Sequence, residues 1–379
     1  MTSQDKLKVP GGRSKTDPVP GRLAALRARM AETGCEAALI LSPENRRYFS
    51  GFLAQDTGLT ESSGALLVTA DRRVLLTDSR YTTQALREAP LFETVTYKAS
   101  LPQGLKSLGR FAKELWFEAE LVTVELLGRL EEALPGVKLD RLPFSPGEFR
   151  VVKTEDELRL VRRAVAITEE ALGLLWGELE PGVPEGWAAF FLETKFRELG
   201  GDGPAFPSIV AAGANAALPH AEPGRKKIGK SECVVIDIGA RYRGYCSDMT
   251  RTYMPEKPSG WQKEIYSTVR EAQLLALEVL KAGVTGAQAD AAARDHITAR
   301  GYGEYFGHSL GHGVGLMIHE EPRLSPRSLE PLPAGALVTV EPGIYLPGKG
   351  GVRLEELALI TENGCQILNK DDHFYSYGD

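Results

Sequence analysis

The sequence predicts an α+β protein in which a smaller α/β domain precedes a larger domain made of a helix pair followed by strands, repeated once. Three observations predict it. Short apolar runs alternate with helically spaced segments up to about residue 135, and a Pro/Gly-rich stretch, Leu142-Pro-Phe-Ser-Pro-Gly147, then interrupts the pattern. Beyond that stretch, two long helical segments give way to strands, and the same order returns later in the chain. A length of 379 residues exceeds one core of ordinary size and agrees with two domains. They are placed at 21–148 and 149–379, behind a mobile arm at 1–20.

Taken in order, Arg22–Thr33 carries apolar residues at helical spacing, and Ala37–Leu41, Ala65–Val68 and Val74–Leu76 read as strands between polar turns. A helix is expected from Asp78. Thr154-Glu-Asp-Glu157 is a capping-box pattern whose helix continues past Leu172, and Trp187–Leu199 forms a second helix. Strands follow at Ser208–Ala211, Cys233–Ile238 and Arg241–Thr252, the last two as a hairpin. Helices at Gly260–Leu280 and Ala287–Arg300 precede strands at Val314–Ile318, Leu337–Val340 and Leu354–Ile360. The repeat is architectural, without residue-level periodicity.

Composition excludes several classes. A formal net charge of −6 offers no basic face for nucleic acid. The first 20 residues carry Asp5, Lys6, Lys8, Arg13 and Lys15 without an apolar run, so neither a signal peptide nor a membrane span is expected there and the protein is read as cytoplasmic. Four scattered cysteines without a C-x-x-C pair are read as reduced, mostly buried thiols. Gly224-Arg-Lys-Lys-Ile-Gly-Lys-Ser231 matches a phosphate-loop pattern by letter, but a strand follows it where that chemistry needs a helix N-terminus, so it is read as a basic surface turn. Gly311-His-Gly-Val-Gly315 lacks the strand–turn–helix context of a dinucleotide fingerprint.

Chemistry concentrates elsewhere. Asp237 ends the apolar run Val234-Val-Ile-Asp, and Asp248 stands in the returning arm, so a hairpin can bring the two carboxylates together. Unaided they would repel, and a cation between them removes that cost. His312 belongs to a segment, 308–319, that holds three of the chain's six histidines among glycines. Glu341 ends another apolar strand and Glu355 follows in Gly351-Val-Arg-Leu-Glu355. Four carboxylates and one imidazole make an oxygen-rich donor set that suits Mn²⁺ or Co²⁺ at least as well as Zn²⁺.

On the motifs Ile236-Asp-Ile-Gly-Ala, Ser247-Asp-Met-Thr-Arg-Thr, Gly311-His-Gly-Val-Gly-Leu, Val340-Glu-Pro-Gly-Ile-Tyr and Gly351-Val-Arg-Leu-Glu-Glu, the sequence resembles the pita-bread metallopeptidases, specifically the Xaa-Pro peptidases, which include prolidase and aminopeptidase P. The resemblance spans about residues 150–379, with a weaker likeness over roughly 20–140. Leu354 and Glu356 stand where Ile and Asp are commoner in that family. It implies an internally duplicated helix pair with a curved antiparallel sheet, and two divalent ions, Mn²⁺ first with Co²⁺ or Zn²⁺ as alternatives. Asp237 would chelate one ion, His312 and Glu341 the other, with Asp248 and Glu355 bridging both. A water shared by the ions would attack the scissile carbonyl, and Glu341 would pass its proton to the departing nitrogen.

The resemblance further implies that His220 and His319 contact the substrate and support catalysis, and that Phe206, Ile318 and His319 line a slot for the proline ring. Arg323 would bind the carboxylate of a dipeptide. Arg353 would orient Glu355 from behind, and His308 would support the site. The implied substrates are small peptides with proline second, and the implied assembly is a homo-oligomer, dimer or tetramer. A methionine-aminopeptidase-like activity and a non-catalytic pita-bread binding protein are the competing readings. The first usually lacks so large a domain in front, and the second characteristically loses ligands that are all present here.

Overall fold

The structure, a computed structural model, describes residues 18–375 apart from 57, 59 and 60. Most of the expected arm, residues 1–17, lies outside the described residues, and Val19 and Pro20 already belong to a helix. The chain divides into two compact units, one ending at Arg150 and the other starting at Val151.

In the first unit, the order is α1 (Val19–Thr33), β1 (Ala37–Ile40), α2 (Pro43–Ser50), β2 (Ala65–Thr69), β3 (Arg73–Asp78), α3 (Thr82–Glu88), β4 (Glu93–Tyr97), α4 (Leu101–Ser107), β5 (Glu114–Phe117), α5 (Val124–Ala133) and β6 (Lys138–Arg141). The strands form one mixed sheet in the order β4-β3-β2-β1-β5-β6. β1 and β2 are buried along their whole length, which is why they read as continuous apolar runs rather than alternating ones. The helix expected from Asp78 starts at Thr82, because Asp78 remains in the sheet opposite Tyr97.

The second unit runs α6 (Glu155–Trp176), α7 (Glu185–Glu198), β7 (Gly203–Pro204), β8 (Ile209–Ala212), β9 (Val234–Ile238), β10 (Ala240–Tyr242), β11 (Tyr245–Cys246), β12 (Met249–Tyr253), α8 (Gly260–Val279), α9 (Gly286–Ala299), β13 (Gly311–Gly313), β14 (Glu320–Leu324), β15 (Leu337–Val340), β16 (Gly343–Leu346), β17 (Gly350–Arg353), β18 (Glu356–Thr361) and β19 (Gly364–Ile367). Thr154 closes the expected capping box with Glu157. Such a cap contributes about 1 kcal/mol to its helix.

The duplication is visible in the packing. Ile167, Leu172, Leu192 and Phe196 of α6 and α7 share a core with Val210, Val234 and Ile236. Ile265, Val269, Ala289 and Ala293 of α8 and α9 share another with Val338, Val340 and Ala358. The first pair covers a sheet of order β12-β9-β8, the second a sheet of order β14-β13-β15-β18-β19. This is the α+β pita-bread arrangement.

Two expectations change. The arm read as one strand over Arg241–Thr252 is three short strands, broken at Arg243, whose φ of 45° lies in the left-handed region, and at Ser247-Asp248. Val314–Ile318 is a bend instead of a strand. The register of β13 against β14 shifts between His312 and Gly313, the Gly315 N–H bonds to the Met317 carbonyl (3.0 Å), and Met317 points outward. Apolar composition without alternation could not distinguish the two. The phosphate-loop lookalike at 224–231 leads directly into β9, as expected for a surface turn. All four cysteines are free, three of them buried and Cys365 half-buried.

Candidate metal centre

The second unit brings the five acidic and imidazole side chains together from both of its halves. Asp237 sits on β9 opposite Thr250 of β12, and Asp248 directly precedes β12. The turn that carries Asp248 crosses the end of β9 at Gly239, where a Cβ would lie 2.1 Å from the Ser247 carbonyl oxygen. Only glycine admits that crossing. On the other sheet, β13 carries His312 past β15 so closely that a Cβ on Gly311 would lie 2.0 Å from the Thr339 oxygen. The glycines around His312 thus serve strand-to-strand approach. Glu341 follows β15, with its N–H bonded to Leu310 O (2.9 Å), and Glu355 stands between β17 and β18, with its N–H bonded to Thr250 O (3.1 Å).

Asp237, Asp248 and Glu355 each present a carboxylate oxygen, all within 4.8 Å of one another. His312 Nε2 lies 3.7 Å from Asp248 Oδ2 and 3.2 Å from Glu341 Oε1. The two carboxylates and the imidazole near the centre of this set are almost fully enclosed, with Asp248 4%, His312 8% and Glu355 1% exposed. Buried Asp237 Oδ1 and Glu355 Oε1 find no hydrogen-bond partner within the protein. His312 Nδ1 bonds to the carbonyl of Gly313 (3.1 Å), an acceptor only, so Nδ1 carries a proton and Nε2 is the nitrogen that faces the carboxylates. Unmatched carboxylate oxygens converging beside an imidazole nitrogen are what a divalent cation fits.

The electrostatics lead the same way. Burial, and after it the charges of Glu355 and Asp237, push the Asp248 carboxyl well above its ordinary range. Glu355 is raised likewise by burial and by Glu341 and Asp237, and burial raises Asp237 against the pull of Arg353. Glu341 moves oppositely: burial opposes it, but the hydrogen bond and charge of His312 hold it down at about 2. The raised carboxyls thus hold protons more tightly than free ones do, and a cation would compete with those protons for the same oxygens.

A supporting layer locks these groups. Arg353 Nη2 lies 2.6 Å from Asp237 Oδ2, its Nη1 donates to Tyr345 Oη (2.8 Å), and its Nε donates to Thr250 Oγ1 (3.2 Å). Thr250 Oγ1 in turn donates to Glu355 Oε2 (2.7 Å). Arg353 therefore holds Asp237 directly and reaches Glu355 through Thr250. Glu355 stands two residues on but past the end of β17, whereas Arg353, the last residue of β17, meets Asp237 of β9. His308 Nε2 meets Tyr345 Oη at 2.9 Å, and Thr339 Oγ1 accepts the His312 N–H (3.0 Å) while donating to Glu341 Oε1 (2.9 Å). Thr250, Thr339 and Tyr345 escaped sequence reasoning. Thr250 and Tyr345 stand inside the quoted motifs, two residues after Asp248 and four after Glu341, and that proximity was the available signal.

The remaining site residues surround this cluster. The His319 ring meets His312 edge-on at 4.4 Å between centroids. Burial, then the charges of His312, Arg323 and, more weakly, His220, lower His319 to about 4. Arg323 occupies β14 opposite His312. Phe206 packs over Gly239, its ring edge 2.8 Å from where a Cβ would be. Ile318 is half-buried in the bend before β14, and His220 is exposed in the turn before β9.

Comparison with known proteins gives two family matches, Metallopeptidase family M24 over residues 159–362 and the Creatinase/Prolidase N-terminal domain over residues 22–147. An Xaa-Pro dipeptidase of Pyrococcus furiosus is 35% identical, covering 93% of this chain and 98% of its own. Among solved structures, an Xaa-Pro dipeptidase from Bacillus anthracis superposes with a TM-score of 0.87 at 37% identity over 93% of this chain and 98% of that one. An X-Pro aminopeptidase from Thermotoga maritima superposes with a TM-score of 0.83 at 39% identity over 92% and 98%.

Proposed function

The chain belongs to metallopeptidase family M24, and we propose that it hydrolyses the bond between an N-terminal residue and a following proline, using two divalent ions held by Asp237, Asp248, His312, Glu341 and Glu355. The observation that carries this reading is the convergence of those five donors beside His319, with Asp237 Oδ1 and Glu355 Oε1 unmatched. Mn²⁺ is the favoured ion for such an oxygen-rich set, with Co²⁺ and Zn²⁺ as alternatives. When bound, the ions supply Lewis acidity and make water a nucleophile near neutral pH.

The side chains divide the remaining work. Glu341, held at about 2, is ionised at neutral pH and accepts the proton of the attacking water before delivering it to the proline nitrogen. That nitrogen is a tertiary amide without its own N–H, so protonation as it departs is indispensable. His319, lowered to about 4, is neutral at working pH and acts as a hydrogen-bond donor to the substrate carbonyl. His220 is the second histidine that contacts the substrate. Phe206 and Ile318 form the apolar wall against which a proline ring packs, and Arg323 offers a planar fork for a dipeptide's carboxylate.

The test is a cleavage panel on Mn²⁺-loaded protein, comparing Xaa-Pro dipeptides, Xaa-Pro-Yaa tripeptides and peptides without proline. Proline-dependent hydrolysis is expected, and cleavage indifferent to proline would overturn the assignment. The balance between dipeptides and tripeptides reads the role of Arg323.

A further inference from the structure

Behind the metal centre lies Arg251, whose side chain is fully enclosed. Its guanidinium divides between two tasks. Nη1 donates to the carbonyl of Glu355 (2.6 Å) and to that of Thr250 (3.1 Å), the backbone that presents two members of the site. Nε donates to Asp371 Oδ1 (2.9 Å), and Nη2 donates to the Asp371 carbonyl (3.1 Å) and to Glu356 Oε1 (3.4 Å). All of its donor groups are thereby matched.

Asp371 belongs to the segment after β19, which is strapped across the helices instead of trailing from them. The Asp371 N–H donates to Glu169 of α6 (2.9 Å) and the Tyr375 N–H donates to Tyr266 Oη of α8 (2.8 Å). His373 stacks on Trp176 at 4.7 Å, and the Phe374 ring lies between the guanidinium groups of Arg251 (4.3 Å) and Arg270 (3.7 Å). Leu357 of β18 is tied to the same segment by its N–H, which donates to Asn369 Oδ1 (2.7 Å).

The placement matters because β12 and β18 lie in different sheets and share no ladder. Between Thr250 of β12 and Glu355 just before β18 run the Glu355 N–H bond to Thr250 O and the Thr250 Oγ1 bond to Glu355 Oε2, and the guanidinium of Arg251 adds a third tie, to the Glu355 carbonyl. We propose that the C-terminal strap is a positioning element of the metal centre: Asp371 holds one edge of the Arg251 guanidinium so that the other fixes the Glu355 backbone, and with it the Glu355 carboxylate. A planar guanidinium transmits orientation in this way because its donors are rigidly related. Without Asp371, a buried cation keeps donors it cannot satisfy and must turn or take up water.

This inference rests on the metallopeptidase reading above, so the experiment uses Mn²⁺ alone, without peptide, on the full-length chain. Mn²⁺ affinity is measured by chelator competition for wild type, Asp371→Ala and Asp371→Asn, alongside urea unfolding of the metal-free proteins. Asp371→Ala is expected to weaken Mn²⁺ binding about tenfold or more. Asp371→Asn keeps an oxygen acceptor for Nε and should recover most of that loss. Lowered urea stability with wild-type Mn²⁺ affinity in folded Asp371→Ala would mean a merely structural strap and overturn the proposal. If Asp371→Ala does not fold, Phe374→Ala decides: it removes the ring over the guanidinium without touching a hydrogen bond, and unchanged Mn²⁺ affinity there also overturns it. A wild-type protein that takes up no Mn²⁺ would overturn the metal-centre reading itself, an outcome separate from any variant's.

Discussion

Arg353 and Asp237 face each other at 2.6 Å between Nη2 and Oδ2, with both side chains largely buried, and this contact leaves Asp237 Oδ1 as the oxygen with no partner in the protein. One oxygen is spent on orientation and the other reserved. Arg353→Ala would strand the Asp237 carboxylate among its neighbours. Breaking one partner of a buried pair costs about 3–5 kcal/mol, so a drop in the urea midpoint is expected together with a loss of Mn²⁺ affinity of about tenfold or more. Arg353→Lys restores the charge without the fork to Tyr345 and Thr250, and should recover stability better than metal affinity, as unfolding and chelator competition would report.

Asp248→Ala removes a carboxylate that lies within 4.8 Å of the Asp237 and Glu355 oxygens and 3.7 Å from His312 Nε2, and should abolish Mn²⁺ binding and peptide hydrolysis together. The same change relieves repulsion among Asp237, Glu355 and Glu341, so the metal-free variant should be no less stable than metal-free wild type. Persistence of either binding or hydrolysis would mean that the ligand set is wrong.

The pH dependence of stability has a defined sign. Asp248, Glu355 and Asp237 titrate higher in the folded chain than unfolded, so their contribution is present below the unfolded value of about 4 and is lost as pH rises through the folded values. Glu341 contributes oppositely, with stability present above about 4 and lost as pH falls toward about 2. Metal-free protein should therefore melt at lower temperature as pH is raised above about 5, and Mn²⁺ should raise the melting temperature most at the upper end of that range. A metal-free melting temperature that climbs with pH would contradict the crowded-carboxylate picture.

How much of this was legible in the sequence depends on what holds each residue in place. Asp237, Asp248, His312, Glu341 and Glu355 announce themselves by residue type at the ends of apolar runs, because a strand end is where a buried sheet can present a polar group. The direct partner of Arg353 was not legible: two residues separate it from Glu355, whereas the side chain it holds lies across a sheet that no local pattern reports. The bend at Val314–Ile318 was hidden by its apolar composition, although it is what carries Ile318 and His319 toward His312. Arg251 stood in a recognised motif, yet its partner lies 120 residues further on, a pairing only the fold creates.

Arg323→Ala should raise KM for Xaa-Pro dipeptides by about tenfold to a hundredfold while leaving tripeptides nearly unaffected, since only the dipeptide offers a carboxylate at that distance. Equal losses for both substrates, or none for either, would remove the clamp role from Arg323. Steady-state kinetics on the two series measure it.

His319→Ala should lower kcat by about a hundredfold or more with Mn²⁺ binding intact, because the ring touches His312 edge-on instead of joining the donor set. His319→Gln, which keeps a neutral donor, should lose less. Since His319 titrates near 4, the acid limb of the wild-type rate profile between about pH 5 and 7 should persist unchanged in His319→Gln.

The donors are shared between two sheets, each with its own helix pair and its own core: Asp237 and Asp248 come from one, His312, Glu341 and Glu355 from the other. Neither half is half an enzyme. A chain cut in the connection between β12 and α8 would yield two pieces that each retain a plausible apolar core yet an incomplete set of ligands, so catalysis would return only when the pieces find each other. The active centre is, in that sense, a reporter of reunion between the halves.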